Sequence, residues 1–142
     1  MKKLLCLLLA MVMVFAMAAC GAKTPETSQP ASQTEPSEYT VLGEGATTIY
    51  VDVQDTDGTV TKFQVNTDAE TVGEALLAVE LIEGEMGDYG LFINAVNGIT
   101  ADWDTEKAYW SFEIEGEYAM TGVDMTPIAA DTHYALIKVI SE

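Results

Sequence analysis

The run Thr47-Thr48-Ile49-Tyr50-Val51-Asp52-Val53, followed closely by Asp57-Gly58, constrains the fold more than any other part of the chain. Ile49, Val51 and Val53 share one side of an extended backbone, and β-branched and aromatic residues dominate, so the run reads as a strand. Asp-Gly suits a tight hairpin turn, because such turns need positive φ at their centre. Residues 59–65 then return with Phe63 and Val65 on one side. An antiparallel hairpin is predicted here, which excludes an all-helical chain.

A helix is predicted next. Thr71-Val72-Gly73-Glu74 has the form of a capping box, in which the Thr hydroxyl and the Glu carboxylate satisfy first-turn amides. Val72, Ala75, Leu76, Val79 and Ile82 recur at helical spacing, so residues 72–83 read as one amphipathic helix ended by Gly84 and Gly87. Gly73 costs about 1 kcal/mol against Ala inside a helix; close packing of the helix on the sheet would explain it. Three further apolar β segments follow, at residues 91–96, 109–114 and 134–140, punctuated by Asn97-Gly98 and Glu115-Gly116. The order is β-β-α-β-β-β. The predicted class is α+β: a β-grasp-like mixed sheet with one helix packed across it.

The N-terminus carries a different signal. Lys2 and Lys3 precede an unbroken apolar run at residues 4–16, then Ala18-Ala19-Cys20. The order is that of a secretory signal peptide, and the run is shorter than the roughly 20 residues of a membrane span. Met17-Ala18-Ala19-Cys20 resembles the lipobox of bacterial lipoproteins, with Met17 where Leu is usual. That resemblance implies cleavage before Cys20 and lipidation of its sulfur; Ala16-Met17-Ala18 also fits an ordinary signal-peptidase site. Cys6 leaves with the signal, so the exported domain has neither a disulfide nor a Cys nucleophile or Cys–Zn site. Residues 21–40 are rich in Thr, Ser, Pro, Gln and Glu, with no apolar side chain larger than Ala before Tyr39. Such a stretch cannot bury enough surface to offset its ordering entropy. The predicted organisation is a signal peptide at 1–19, a lipidated Cys and tether at 20–40, and one domain at 41–142.

Charge narrows the partners. The chain has 23 Asp plus Glu against 6 Lys plus Arg, all of them Lys, for a net −17. Removing the signal takes away Lys2 and Lys3 and makes the balance −19. No basic face is available for nucleic acid. An anionic membrane surface would repel the chain, so a covalent lipid is the expected membrane attachment, on the outer face of the cell membrane.

Several segments together resemble a bacterial domain of unknown function related to the C-terminal β-domain of transcobalamin and intrinsic factor. They are Thr71-Val72-Gly73-Glu74-Ala75-Leu76, Gly90-Leu91-Phe92-Ile93, Val96-Asn97-Gly98-Ile99, Tyr109-Trp110-Ser111-Phe112 before Glu115-Gly116-Glu117, and Thr121-Gly122-Val123-Asp124. The resemblance spans about residues 47–139. Glu115-Gly116 stands where Asn-Gly is usual, and Ala130-Asp131 where Gly-Asp is usual. It implies the fold and, by resemblance only, a corrinoid ligand. The all-helical domain of the vertebrate carriers is absent, so half of the ligand cage is missing.

No catalytic residue is expected. His133 is the single His, and no nucleophile elbow surrounds Ser111 or Ser141. Two acidic sets are candidates for calcium or another divalent cation: Asp52, Asp55 and Asp57, and Asp102, Asp104 and Glu106. Neither fits an EF-hand: Val53 and Gln64 stand where the first set needs acids, and Lys107 replaces the mid-loop Gly of the second. An aromatic set, Tyr89, Trp103, Tyr109 and Trp110, is the other candidate, for a small molecule, peptide or surface protein. Trp103 lies between two acids, which makes it hard to bury, whereas Trp110 also fits the core. If residues 100–107 are extended, Asp102 and Asp104 face away from the Trp103 ring. The expected function is a non-enzymatic, lipid-anchored binding module, with a metal-binding structural module as the alternative.

Overall fold

The computed structural model describes residues 38–142. The expected hairpin forms from β2 (Thr47–Gln54) and β3 (Val60–Thr67), antiparallel, with Ile49 opposite Val65 and Val51 opposite Phe63. Its turn is fixed by two carboxylates. The Asp55 side chain accepts from the Thr56 amide at 2.7 Å and Asp57 from the Thr59 amide at 2.8 Å. Gly58 takes φ +84°, the left-handed region where a Cβ is disfavoured. The bond from Thr59 holds the Asp57 carboxyl below the usual carboxylate range.

One six-stranded mixed sheet is built on this hairpin. A short strand β1 (Thr40–Leu42) runs parallel to β3 at one edge and takes in Thr40, the last residue assigned to the tether. On the other side, β9 (His133–Ile140) lies parallel to β2 and antiparallel to β7 (Ala108–Ile114); β8 (Glu117–Tyr118) closes the far edge through the Glu115-Gly116 turn. The order is β1-β3-β2-β9-β7-β8. Ile49, Val51, Val53, Val65, Phe63, Leu136, Tyr134, Trp110 and Phe112 are buried on the inner face.

Helix α1 (Val72–Ala78) covers that face, with Val72, Ala75 and Leu76 fully buried. Thr71 caps its N-terminus as expected, Oγ1 accepting from the Glu74 amide at 3.3 Å, but the return bond of a capping box is displaced: Glu74 Oε2 accepts from the Glu70 amide at 3.2 Å, one residue before the cap. The helix stops at Ala78, not at 83. The Leu81 amide donates to Leu76 O at 2.9 Å and the Glu80 amide to Leu77 O at 3.0 Å, with Glu80 at φ 55°. That is the Schellman pattern, in which a left-handed residue ends the helix and the next apolar residue folds back on it. Glu occupies the position where Gly usually signals the stop. Gly73 packs on a 3-10 turn (Val123–Met125) and not on the sheet: a Cβ there would lie 2.9 Å from the Asp124 backbone.

The residues expected to finish the helix instead begin a second, three-stranded sheet. It comprises β4 (Ile82–Gly87), β5 (Gly90–Val96) and β6 (Ile99–Thr100), all antiparallel. Gly84 does not stop a helix. It sits at a register shift in β4, where a Cβ would come within 2.4 Å of Phe92 O. Asn97 and Gly98, both at positive φ, make the two-residue turn between β5 and β6. Helix α2 (Trp103–Glu106) is a single turn that leads into β7.

Candidate functional site

A groove of about 630 Å³ lies between β5, β6 and α2. Phe92, Asn94, Thr100, Ala101, Asp102, Trp103 and Asp104 line it. Phe92 and Trp103 are the large apolar side chains in its wall, 53% and 48% exposed. Two aromatic rings held half in water at the sides of one groove are unusual for a side-chain type that buries well, and are suited to stacking on a ligand.

The local sequence explains how Trp103 is presented. The Asp102 side chain accepts from the Asp104 amide at 2.8 Å and from the Thr105 amide at 3.0 Å, so it caps the single turn of α2. These bonds, from Thr105 and then Asp104, hold its carboxyl below the usual carboxylate range. Lys107, left-handed at φ 56°, ends the turn and donates its amide to Trp103 O. The Lys107 ammonium stands 5.4 Å from the centre of the Trp103 ring. The segment is therefore helical and not extended. Asp102 and Asp104 line the same groove as Trp103 instead of facing away from it.

The aromatic set divides. Trp103 and Tyr109 are in contact, with ring centres 6.4 Å apart and a tilt of 58°. Tyr89 is fully exposed at the β4–β5 turn and lines a separate hollow of about 180 Å³ that shares Phe92 with the main groove. Trp110 does not belong to the site. It is 9% exposed and part of the core, because it shares the inner parity of β7 with Ala108 and Phe112; its indole Nε1 is buried without a hydrogen-bond partner. Phe92 was missed as a site residue. The signal was its parity: Phe92 falls on the same side of β5 as the exposed Asn94, opposite Leu91 and Ile93.

The acidic sets do not gather as expected. Among the described residues, no group of three or more His, Cys, Asp or Glu is placed to hold a metal ion. Asp55 and Asp57 are committed to the β2–β3 turn. Asp52 lies back along β2, with one carboxylate oxygen buried and unpartnered. In the second set Asp102 caps α2, while Glu106 turns to an ion pair with Lys138 at 3.1 Å. His133 stacks on Tyr50, ring centres 4.7 Å apart, and its amide donates to Glu115 Oε1 at 2.8 Å. Cys20, the signal and nearly all of the tether lie outside the described residues.

With this geometry the chain can be set beside known proteins. A structure described as that of a "putative metal binding protein" from Ruminococcus gnavus ATCC 29149 is 35% identical, with a TM-score of 0.64, over 68% of this chain and 100% of that one. Residues 69–133 match the family described as "Domain of unknown function (DUF4430)". The chain belongs to the DUF4430 family. The structure of haptocorrin in complex with Cbi matches over 68% of this chain and 25% of haptocorrin, with a TM-score of 0.50 and 15% identity. At that identity the likeness is one of fold, and it agrees with the resemblance carried by the sequence segments. No curated protein matches the chain.

Proposed function

We propose that this DUF4430 chain is a non-enzymatic, lipid-anchored binding module on the outer face of the cell membrane, and that it captures its ligand in the groove between Phe92 and Trp103. The observation that carries the reading is that groove: about 630 Å³, walled by two half-exposed aromatic rings, Phe92 on β5 and Trp103 on the capped turn of α2. We read the order β3-β2-β9-β7-β8, with α1 across one face, as a β-grasp, which leaves the β5–α2 side free for a ligand. A flat small molecule fits the aromatic walls best. A corrinoid enters through the fold shared with haptocorrin; a peptide or a surface protein would use the same rings. The single His is stacked on Tyr50, and no Cys lies in the domain, which supports a binder over an enzyme.

The test is fluorescence and melting of the mature chain with a corrinoid, with Ca²⁺ and with EDTA. Quenching of Trp103 and a raised melting temperature with the corrinoid support the reading. Both effects should vanish in Trp103→Ala while the fold persists. The second reading, a metal-binding module, is favoured by the description of the Ruminococcus relative. Ca²⁺ takes six to eight oxygens, and the described acids do not supply a cage, so a large Ca²⁺-dependent shift would be needed to promote it. The anchor is tested separately: Cys20→Ala should release the protein from membranes or leave an uncleaved precursor. A variant that stays with membranes and has a mature mass cut before Ala19 would remove the lipid from the reading.

A further inference from the structure

A second cleft, of about 400 Å³, lies between α1, the β4–β5 hairpin and the 3-10 turn. Leu77, Met86 and Leu91 form its apolar wall, and Thr71, Glu74 and Asp124 bring oxygens to it. Leu77 is 41% and Met86 72% exposed, so the apolar wall is open to a ligand. Asp124 lies deeper. Its Oδ1 is buried and has no hydrogen-bond partner. The carboxylate is seated against two glycines: a Cβ at Gly122 would lie 2.6 Å from Oδ1, and one at Gly90 2.9 Å from Oδ2. A buried carboxylate oxygen without a partner is costly, and native folds normally satisfy it.

The described cations do not supply the partner. Among the described residues, Lys62 pairs with Glu38, Lys138 with Glu106, and Lys107 lies over Trp103. Two of the nearby first-turn amides are committed elsewhere: Val72 N–H donates to Thr126 O and Glu74 N–H to Thr71 Oγ1. Asp124 within an apolar trough and Glu74 at its mouth, in a chain of net charge −17, select a cation with an apolar body. A hard metal ion would need more oxygens than Asp124 and Glu74 provide. A primary ammonium has three donors and brings its own alkyl stem.

We propose that this cleft binds a primary ammonium on an alkyl stem, with Asp124 holding the charge, Glu74 at the mouth, and Leu77, Met86 and Leu91 packing the stem. Such a group is carried by a free diamine or by a lysyl side chain. The site is separate from the Phe92–Trp103 groove and does not depend on it.

The test is an amide-resolved NMR titration of the full chain with cadaverine, with N-acetyl-lysine amide, and with N-acetyl-norleucine amide as the uncharged control. Saturable shifts at Gly73, Leu77 and Gly90 are expected with the two amines and not with norleucine, and added salt should weaken them. Tighter binding of cadaverine assigns the site to free amines; tighter binding of the lysine amide assigns it to lysyl side chains. Asp124→Asn, which keeps the shape, should weaken binding by about tenfold or more, as for loss of a charge-assisted bond. Glu74→Gln should weaken it less. Amides around Trp103 should not move. No saturable shift, an equal response to norleucine, undiminished binding by Asp124→Asn, or displacement of the amine by a lower concentration of Ca²⁺ would each overturn the proposal.

Discussion

The two sheets make different use of alternating apolar sequence. In the large sheet, β2 alternates strictly and every inner residue from Ile49 to Val53 is at most 1% exposed. In the small sheet, full burial is confined to one end: Ile82, Ala95 and Val96 are buried and Leu91 and Ile93 pack half-buried against the core, while Met86, Tyr89 and Phe92 face water. The large sheet is closed by α1. The small sheet is fully buried at its root and only half-buried toward its tip, on one face. Both clefts described above draw on the small sheet, Phe92 and Asn94 for one and Met86 and Leu91 for the other. The region that contributes least to the core thus carries the surfaces able to bind. This is the usual division between a rigid scaffold and the segments mounted on it.

If that division is right, truncations should separate by sheet. Leu136→Ala and Trp110→Ala empty the large sheet's core and should each cost about 3–5 kcal/mol, read as a lower urea midpoint. Losses near zero would mean that the large sheet is not the stabilising unit. Gly84→Ala places a methyl against Phe92 O in the small sheet and should cost about 1–3 kcal/mol. Hydrogen exchange should rise in β4 and β5 while β2 and β9 stay protected; equal loosening everywhere would erase the contrast. Trp103→Ala should change stability by less than about 1 kcal/mol, as at a surface position. A drop comparable to Trp110→Ala would move Trp103 into the core.

The smallest effect is one of pH. The folded Asp102 carboxyl titrates below its ordinary value near 3.8 because it accepts the Thr105 and Asp104 amides. A lowered folded value means that the cap's contribution is complete above the unfolded value and is lost as pH falls through the folded one. Trp103 emission should therefore be constant at neutral pH and change only in acid, below the usual carboxylate range. In Asp102→Ala this acid-dependent step should disappear. A step at neutral pH would point away from the α2 cap.

The hairpin β2–β3, the capped start of α1 and the glycine turns after β5 and β7 were legible because each rests on a local rule with a visible residue: alternation, Thr71 with Glu74, Asn97-Gly98, Glu115-Gly116. The end of α1 was not legible. Its Schellman stop is made by Glu80, which pays for a positive φ with no sequence signal, and Ile82 happens to continue the helical period. The short strands β1, β6 and β8 are too brief to show a pattern. Of the site, Trp103 could be singled out from the acids beside it, but its conformation could not: Asp102 reads as one more acid until its bonds to the next turn are seen. Phe92 was hidden inside an apolar run, and Asp124 inside a turn whose oxygens are distinguished only by the glycines around them.

The position of β9 has a consequence for the order of assembly. The last strand of the domain is not at an edge; it is inserted between β2 and β7, and its parallel pairing joins Tyr50 to His133 across nearly the whole fold. The β2–β3 hairpin and α1 can form early, since their contacts are local. Until residues 133–140 arrive, however, β2 offers one unpaired edge and the inner face lacks Tyr134 and Leu136. Closing so long a loop is slow, and the waiting species is open to strand addition by other chains. A chain of this topology therefore completes its large sheet only once residues 133–140 are free to slot between β2 and β7, so its core closes at the very end of assembly.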